Sequence, residues 1–575
     1  MTRIVWVMMG GGLLSLAACG KDGGDQDDTM VDESGTDQGT DSGTDGGTDG
    51  GDDTGTDSDS GTTGGDSGTD DTGATSGTAP EACGNAVTLA DGGHWLQEDL
   101  FGSTELVDLP HEQGPGVALG DFDGDGWLDA LMTVGVERSL AFKNDGAGQL
   151  APTDAFTVDG GVFPPANALA TGDFDGDGDL DIVLSMARDH DDLVLFNDGA
   201  GAFTSVALPD SQNESMTPTV ADFDGDGDLD LFLAGFTAWL DPRAVMDGEQ
   251  VGDGQKLYHW EDGAFVDASS DLSPSVDVAL TFQGAVLDYD ADGDLDLYLA
   301  NDYSQYVVIS GMLANNGEGQ LAEVQANCGL QGTIMGVTVG DANGDGLPDL
   351  FITDWGRVFL FINLGDGTFY EASAAQGIDP DAEESLVGWA SVFVDIDGDA
   401  DLDLATMFGP VIVGDAGTST VPPEQPDTFF LNGGDAGFSE VSDGIGFNDM
   451  GIGRSVASGD LDRDGRPDLV VAGRVYLRSY LTRGGCDAGV TLLLDDEAMN
   501  RQGIGARVDA EIGGETLTRW MLPSTSFGAS AAELHLGLGG AAQADRVTVT
   551  WLDGRTTVLT NVAAGTRALV TPSDD

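Results

Sequence analysis

Histidine and cysteine are scarce, at 5 and 4 in 575 residues. That inventory excludes a disulfide-stapled scaffold and a multi-histidine metal enzyme. Positive charge is also scarce: Lys plus Arg is 20 against 103 for Asp plus Glu, a net charge of −83. Nucleic acid and anionic lipid both need a basic face, so neither is an electrostatic partner. No HExxH, P-loop, CxxC or Ser/His/Asp order is present. Glycine, in contrast, is abundant at 89, about twice ordinary usage. It does not follow collagen triplets, which assigns the excess to turns and disordered tracts. Hydrophobic residues make up 40%, enough for a core.

The N-terminus reads as an export signal. Arg3 is followed by an apolar run from Ile4 to Ala18, too short for a permanent span. It ends Leu16-Ala17-Ala18-Cys19, which resembles a bacterial lipobox. The resemblance implies a signal peptide over 1–18, cleavage before Cys19 and lipid on its thiol. An ordinary signal peptide with a chance cysteine is the alternative. Gly20, where Asp would favour the inner membrane, leans towards the outer membrane. Residues 19–82 are largely Gly, Asp, Thr and Ser, with Lys21 the single cation from Gly20 to about residue 80. Such a tract has nothing to bury and repels itself, which predicts a disordered, extended tether. A calcium-binding tail is the other reading, but its carboxylates lack fixed spacing.

The body repeats one acidic nonapeptide seven times. It begins as DFDGDGWLD at Asp121 and recurs at Asp173, Asp222, Asp288, Asp341, Asp395 and Asp460, at intervals of 49 to 66 residues. Each copy follows a short run of small and apolar residues, such as Gly116 to Gly120. A strand comes next, then a second strand ending in Asn-Asp-Gly or a relative, and often a third opening with Phe, as at Phe203 and Phe369. Four short strands per repeat of about 50 residues predict a β-propeller blade. Seven blades over 83–484 would close a ring and remove free sheet edges. The wider gaps predict insertions at Asp241–Gln255 and Gly409–Pro426.

Acidic side chains at loop positions 1, 3, 5 and 9 surround one point. Glycine at position 6 permits a sharp turn, and the position 7 carbonyl adds another oxygen. Hard oxygens in a flexible loop suit Ca²⁺ over zinc or copper, and magnesium demands tighter octahedral geometry. Up to seven Ca²⁺ are expected. The ligands are Asp121, Asp123, Asp125 and Asp129; Asp173, Asp175, Asp177 and Asp181; Asp222, Asp224, Asp226 and Asp230; and Asp288, Asp290, Asp292 and Asp296. They continue with Asp341, Asn343, Asp345 and Asp349; Asp395, Asp397, Asp399 and Asp403; and Asp460, Asp462, Asp464 and Asp468. Ala400 replaces the position 6 glycine in the sixth loop, which predicts strain or weaker binding there. Metal-free acidic turns do not explain the repeated spacing. EF-hands need flanking helices and a Glu at position 12, where this chain has Met132, Leu184 or Leu233.

These loops on short strands resemble the FG-GAP/VCBS repeats of integrin α-chain-type propellers. From Cys486 the pattern changes to longer alternating strands, with Val547, Val549 and Trp551 on one face and a tight turn at Asp553-Gly554. This predicts a small β-sandwich-like domain over 485–575. Asn500 to Val508, Leu534 to Gly539 and Val549 to Gly554 resemble the ASPIC/UnbV domain that follows FG-GAP repeats in cartilage acidic protein-like and bacterial exported proteins. The family usually has Pro where Leu552 stands. The fold class expected is therefore all-β: a seven-bladed propeller plus this domain.

The resemblance implies an extracellular, calcium-binding, adhesive or recognitional protein. The expected work is binding a protein or carbohydrate partner from a lipid-anchored position on the outer membrane or cell surface, with the membrane reached only through the Cys19 lipid. Two alternatives are an exported lyase or hydrolase acting at the central channel and a passive envelope scaffold. No catalytic residue is assigned. His535 reads as a strand histidine without a recognisable partner, and Arg501 and Arg507 as structural ion pairs. Cys83, Cys328 and Cys486 leave disulfide pairing open. Trp239, Trp260, Trp355 and Trp389 read as core packing, with a ligand face as the alternative.

Overall fold

The computed structural model describes residues 86–96, 114–134, 138–237, 240–324, 329–379, 386–411, 425–447, 451–474 and 476–573. The signal and tether readings, Cys19, Cys83, Cys328, Trp239 and most of the second insertion lie outside these residues.

Seven sheets, each built on four antiparallel strands, arise from the seven repeats. The second blade is representative. Its strands Ala168–Gly172, Asp181–Ser185, Leu193–Asn197 and Ala202–Ala207 follow one another outwards from the centre. The innermost strands are Val117–Gly120, Ala168–Gly172, Ser215–Ala221, Thr281–Leu287, Gly336–Gly340, Gly388–Val394 and Gly453–Gly459. Each touches its neighbours in a closed cycle, the last meeting the first. The seventh blade takes its outer strand from the other end of the chain. Thr88–Leu96 pairs antiparallel with Tyr476–Arg483, in register from Thr88↔Arg483 to Leu96↔Tyr476 across one bulge. Ring closure thus ties the first described strand to the last of the propeller.

Apolar side chains at loop positions 2 and 8 flank each turn and wedge the blades together. Phe122, Phe174, Phe223 and Tyr289 are buried at position 2, and Leu128, Leu229, Leu295 and Leu402 at position 8. Five of the seven innermost strands end in glycine or alanine, which admits them. A Cβ on Gly120 would lie 2.3 Å from Leu180 Cδ2 of the next blade.

Every acidic loop joins the first strand of a blade to the second, so all seven emerge at one end of the ring. The connection from second to third strand lies at the other end. The first insertion falls there and contains a short helix, Pro242–Met246, capped by Asp241. Among the described residues, no helix is long and apolar enough to cross a membrane.

Beyond Arg483 the chain forms two smaller sheets. One orders Leu534–Leu536, Val490–Leu494 and Arg567–Val570; the other orders Glu515–Trp520, Arg507–Ile512, Gln543–Thr550 and Thr556–Ala563. The expected hairpin is present, with Thr550 opposite Thr556. Val547, Val549 and Trp551 are buried in a core that continues into blades 2 and 3 through Val194, Leu231, Tyr258 and Trp260. Cys486 is disulfide-bonded.

One feature was not legible in the sequence. A hairpin of the C-terminal domain, Ser524–Thr525 with Gly528–Ala529, enters the centre of the ring. Ala529 pairs in parallel with Ala118 of the first blade. Ser526 hydrogen-bonds Gln283 of the fourth blade. Its carbonyl accepts from Ser455 Oγ of the seventh at 3.0 Å. Phe527 N–H donates to Thr217 Oγ1 of the third at 3.1 Å, and its carbonyl accepts from Leu169 N of the second at 3.3 Å. The Phe527 ring packs against Phe282 at 6.1 Å and Trp389 at 5.9 Å. The hairpin therefore occupies part of the propeller axis, and a cavity remains beside it, lined by Val220, Val286, Val339 and Val394 of the innermost strands and by Arg519 and His535 of the C-terminal domain. Trp260 and Trp389 are buried, in keeping with core packing.

Candidate metal centres

The loops share one hydrogen-bond scheme, set by the identities at positions 1, 5, 6 and 9. The position 1 carboxylate accepts the position 6 N–H in all seven: Gly126 at 2.8 Å, Gly178 at 2.8, Gly227 at 3.0, Gly293 at 3.2, Gly346 at 2.9, Ala400 at 3.0 and Gly465 at 3.0. That turn requires a left-handed residue. The glycines supply it, and Ala400 is held there at φ 87°, where an L side chain is strained. The position 5 carboxylate accepts the N–H two residues on, as in Asp177 from Asp179 at 2.9 Å.

The position 9 aspartate begins the second strand and is buried at the root of the loop. One of its oxygens accepts an N–H from the third strand of its own blade: Asn144, Asn197, Trp260, Asn315, Asn363, Asn432 and Thr482 in turn, at 2.7 to 3.0 Å. Five of these residues are asparagines, and their side-chain amides reach the preceding blade. Asn363 Nδ2, for example, donates to Tyr289 O at 3.0 Å and to Pro348 O at 3.3 Å. The Asn-Asp-Gly signal thus bolts each such blade to the loop before it, a role the sequence reading did not assign.

Side-chain oxygens converge as the spacing predicts, with differences at position 5. Asp121, Asp123 and Asp129 form one group, Asp173, Asp175 and Asp181 another, and Asp288, Asp290 and Asp296 a third, each with ligand atoms within 4.8 Å of one another. In the third loop Asp222, Asp224 and Asp226 converge instead, and Asp224, Asp230 and His259 form a further group. The first loop keeps buried oxygens free for a cation beside the Lys143 ammonium, which meets Asp123 and Asp125. Asp121 Oδ1, Asp123 Oδ1 and Asp129 Oδ2 are buried with no hydrogen-bond donor. Buried anionic oxygens are costly unless something positive meets them, so the donor set suits a hard divalent ion.

Electrostatics point the same way. Burial pushes the Asp129 and Asp230 carboxyls up to about 7, and those of Asp181, Asp296 and Asp349 up to about 8. Burial and then the neighbouring Asp397 and Asp395 charges raise Asp403 well above the ordinary range. Without a cation, these sites hold their charge poorly at neutral pH.

The C-terminal domain packs on this same end of the ring. Gln502 Oε1 accepts from Asp173 N at 2.8 Å. Glu533 Oε1 accepts from Asp460 N at 2.7 Å. Arg519, buried among Asp341, Asp395, Asp401 and Asp403, donates to Ala400 O at 2.9 Å. Burial alone would raise the Glu533 carboxyl, but the His535 hydrogen bond and charge, with Arg567, hold it near 2. His535 does have an acidic partner, contrary to the sequence expectation: its Nε2 lies 3.0 Å from Glu533. Two residues' spacing on a strand brings side chains to one face, and that signal was available. Arg501 pairs with Asp173, Asp495 and Glu497, and Arg507 with Asp509, as structural ion pairs.

Comparison with known proteins agrees with this architecture. The model of the FG-GAP-like repeat matches residues 121–184, 173–233, 288–352, 341–406 and 411–471, about half of the chain. The ASPIC and UnbV model matches residues 496–575. No curated protein matches the chain. Among solved structures it is similar to an Agrocybe aegerita lectin that recognises non-reducing terminal N-acetylglucosamine, at 17% identity over 60% of this chain and 81% of that one, TM-score 0.40. It is also similar to the BP39L lectin of Burkholderia pseudomallei, at 13% identity over 65% and 97%, TM-score 0.40. A rhamnogalacturonan lyase matches at 12% identity over 64% and 72%, TM-score 0.32. With its repeated acidic loops on propeller blades and its matching tail, the chain belongs to the FG-GAP-like repeat family and carries a C-terminal ASPIC and UnbV domain.

Proposed function

We propose that this protein is a calcium-stabilised recognition module, exported and lipid-anchored through Cys19 at the outer membrane or cell surface, that binds a protein or carbohydrate partner. The observation that carries the reading is the unequal use of the two ends of the ring. The loop end is covered by the protein's own C-terminal domain, whose hairpin enters the axis. The other end carries the first insertion and several exposed apolar side chains, including Met246, Val251, Tyr306 and Ile309. Exposed apolar groups gathered on one rim suit partner binding. The ions act in this reading as structure, neutralising the loops rather than reacting.

An enzyme working at the channel is the second reading, and the cavity left beside the hairpin is where its substrate would sit. The test is a glycan array together with a pull-down from surface extracts, using the chain from residue 20 onwards in calcium. Retention on a defined glycan or surface protein, weakened by Tyr306→Ala, is expected. Release of products from polysaccharide or ester panels would replace binding with catalysis, and no retention on either would leave a scaffold. Cys19→Ser is expected to move the protein from the membrane to the soluble fraction; continued membrane retention would overturn the anchor.

A further inference from the structure

One position of the blade sorts the seven loops by chemistry. It is the residue just before the one that donates its N–H to the position 9 aspartate. Five blades place Phe196, Ala314, Ile362, Leu431 or Leu481 there, all apolar. Blade 1 has Lys143, which meets Asp123 and lies 3.0 Å from Asp125. Blade 3 has His259. Its Nδ1 lies 2.7 Å from Asp224 Oδ2 and 3.8 Å from Asp230 Oδ2. The histidine is 6% exposed, and its Nε2 is buried with no hydrogen-bond partner. Gly319 makes room for the ring: a Cβ there would lie 2.4 Å from His259 Cε1.

We propose that the third loop is a mixed nitrogen–oxygen site, in which His259 Nδ1, Asp224 and Asp230 hold a first-row transition ion such as Zn²⁺. The three ligand atoms lie within 4.8 Å of one another. One imidazole and two carboxylates, with water in the fourth place, form a tetrahedral donor set of the kind zinc accepts. Ca²⁺ takes oxygen, whereas imidazole favours zinc, nickel and copper. A protonated lysine has no lone pair to offer, so Lys143 at the matching position in blade 1 cannot ligate an ion. The inference rests on the reading of the loops as metal cages but adds a different metal at one of them.

The experiment is elemental analysis of the full chain, equilibrated with millimolar Ca²⁺ and micromolar Zn²⁺ and then desalted. About one equivalent of zinc is expected in the wild-type protein and less than a tenth of that in His259→Lys, with calcium content the same in both. Blade 1 already accommodates lysine at this position; should His259→Lys not fold, His259→Gln supplies the same comparison. Substituting Co²⁺ adds a second readout, a visible absorption band of a tetrahedral site that is lost in the variant. Calcium bound normally with no zinc, or equal zinc in wild-type and variant proteins, overturns the mixed site and leaves an imidazole paired to carboxylates. Absence of both metals overturns the reading of the loops as cages.

Discussion

The propeller and the domain that follows it bury similar strands by different means. In the ring, each blade repeats an acidic turn with an apolar residue on either side of it, and five of the seven add an asparagine that reaches back to the preceding blade. In the C-terminal domain the contacts are single and distant. Gln502 meets Asp173, Glu533 meets Asp460, and Ser526 meets Gln283. A repeated device shows itself by period; a single long-range contact leaves no pattern along the chain. The difference also assigns separate jobs. Asparagines and the apolar flanks of the acidic turns hold neighbouring blades together, and the C-terminal domain spans the ring from above and reaches into its centre.

The largest effect should come from pH acting on the ion-free ring. The carboxyls of Asp129, Asp181, Asp230, Asp296 and Asp349 titrate at about 7 to 8 when folded, against about 4 when unfolded. Between those values the folded chain holds protons that the unfolded chain has released, so stability falls as pH rises through the window. Metal-free protein should therefore melt lower at pH 8 than at pH 5.5. With calcium present the trend should flatten or reverse, because protons then compete with the ion. Melting curves at both pH values check the sign, and no pH dependence in the metal-free protein would separate the buried aspartates from the stability of the ring.

Next in size is the central hairpin. Phe527→Ala removes a fully buried ring from the contact with Phe282 and Trp389 and should cost about 3–5 kcal/mol. A denaturation midpoint unchanged by the substitution would mean that the ring closes without help from the C-terminal domain. A smaller contrast compares the two kinds of bolt. Asn363→Ala leaves two carbonyls without their amide donor and should cost about 1–3 kcal/mol. Gln502→Ala, on the partly exposed contact with Asp173, should cost about 0.5–1.5 kcal/mol. Equal losses would erase the distinction between ring and domain.

The legible part of the molecule follows from the same contrast. Period, turn glycines and alternating strands announced the blades, the loop positions and the hairpin at Asp553-Gly554. The spacing of aspartates marked which carboxylates gather, although position 5 turns towards backbone N–H groups in several loops instead of joining the group. What stayed hidden depends on residues far apart in the chain. Nothing along residues 521–534 marks them as destined for the propeller axis, because their partners lie on six separate strands. His259 was missed for a related reason: it is adjacent to the third loop in space, but 29 residues beyond Asp230 in the chain. The closure of the seventh blade by Thr88–Leu96 was likewise a long-range pairing without a local signature.

Thermal unfolding of the full chain before and after complete chelation, followed by addition of millimolar Ca²⁺, tests most directly whether the acidic loops are cation cages that hold the ring. The melting temperature is predicted to fall by many degrees on chelation and to recover with Ca²⁺. Superimposable curves in all three conditions would contradict the account.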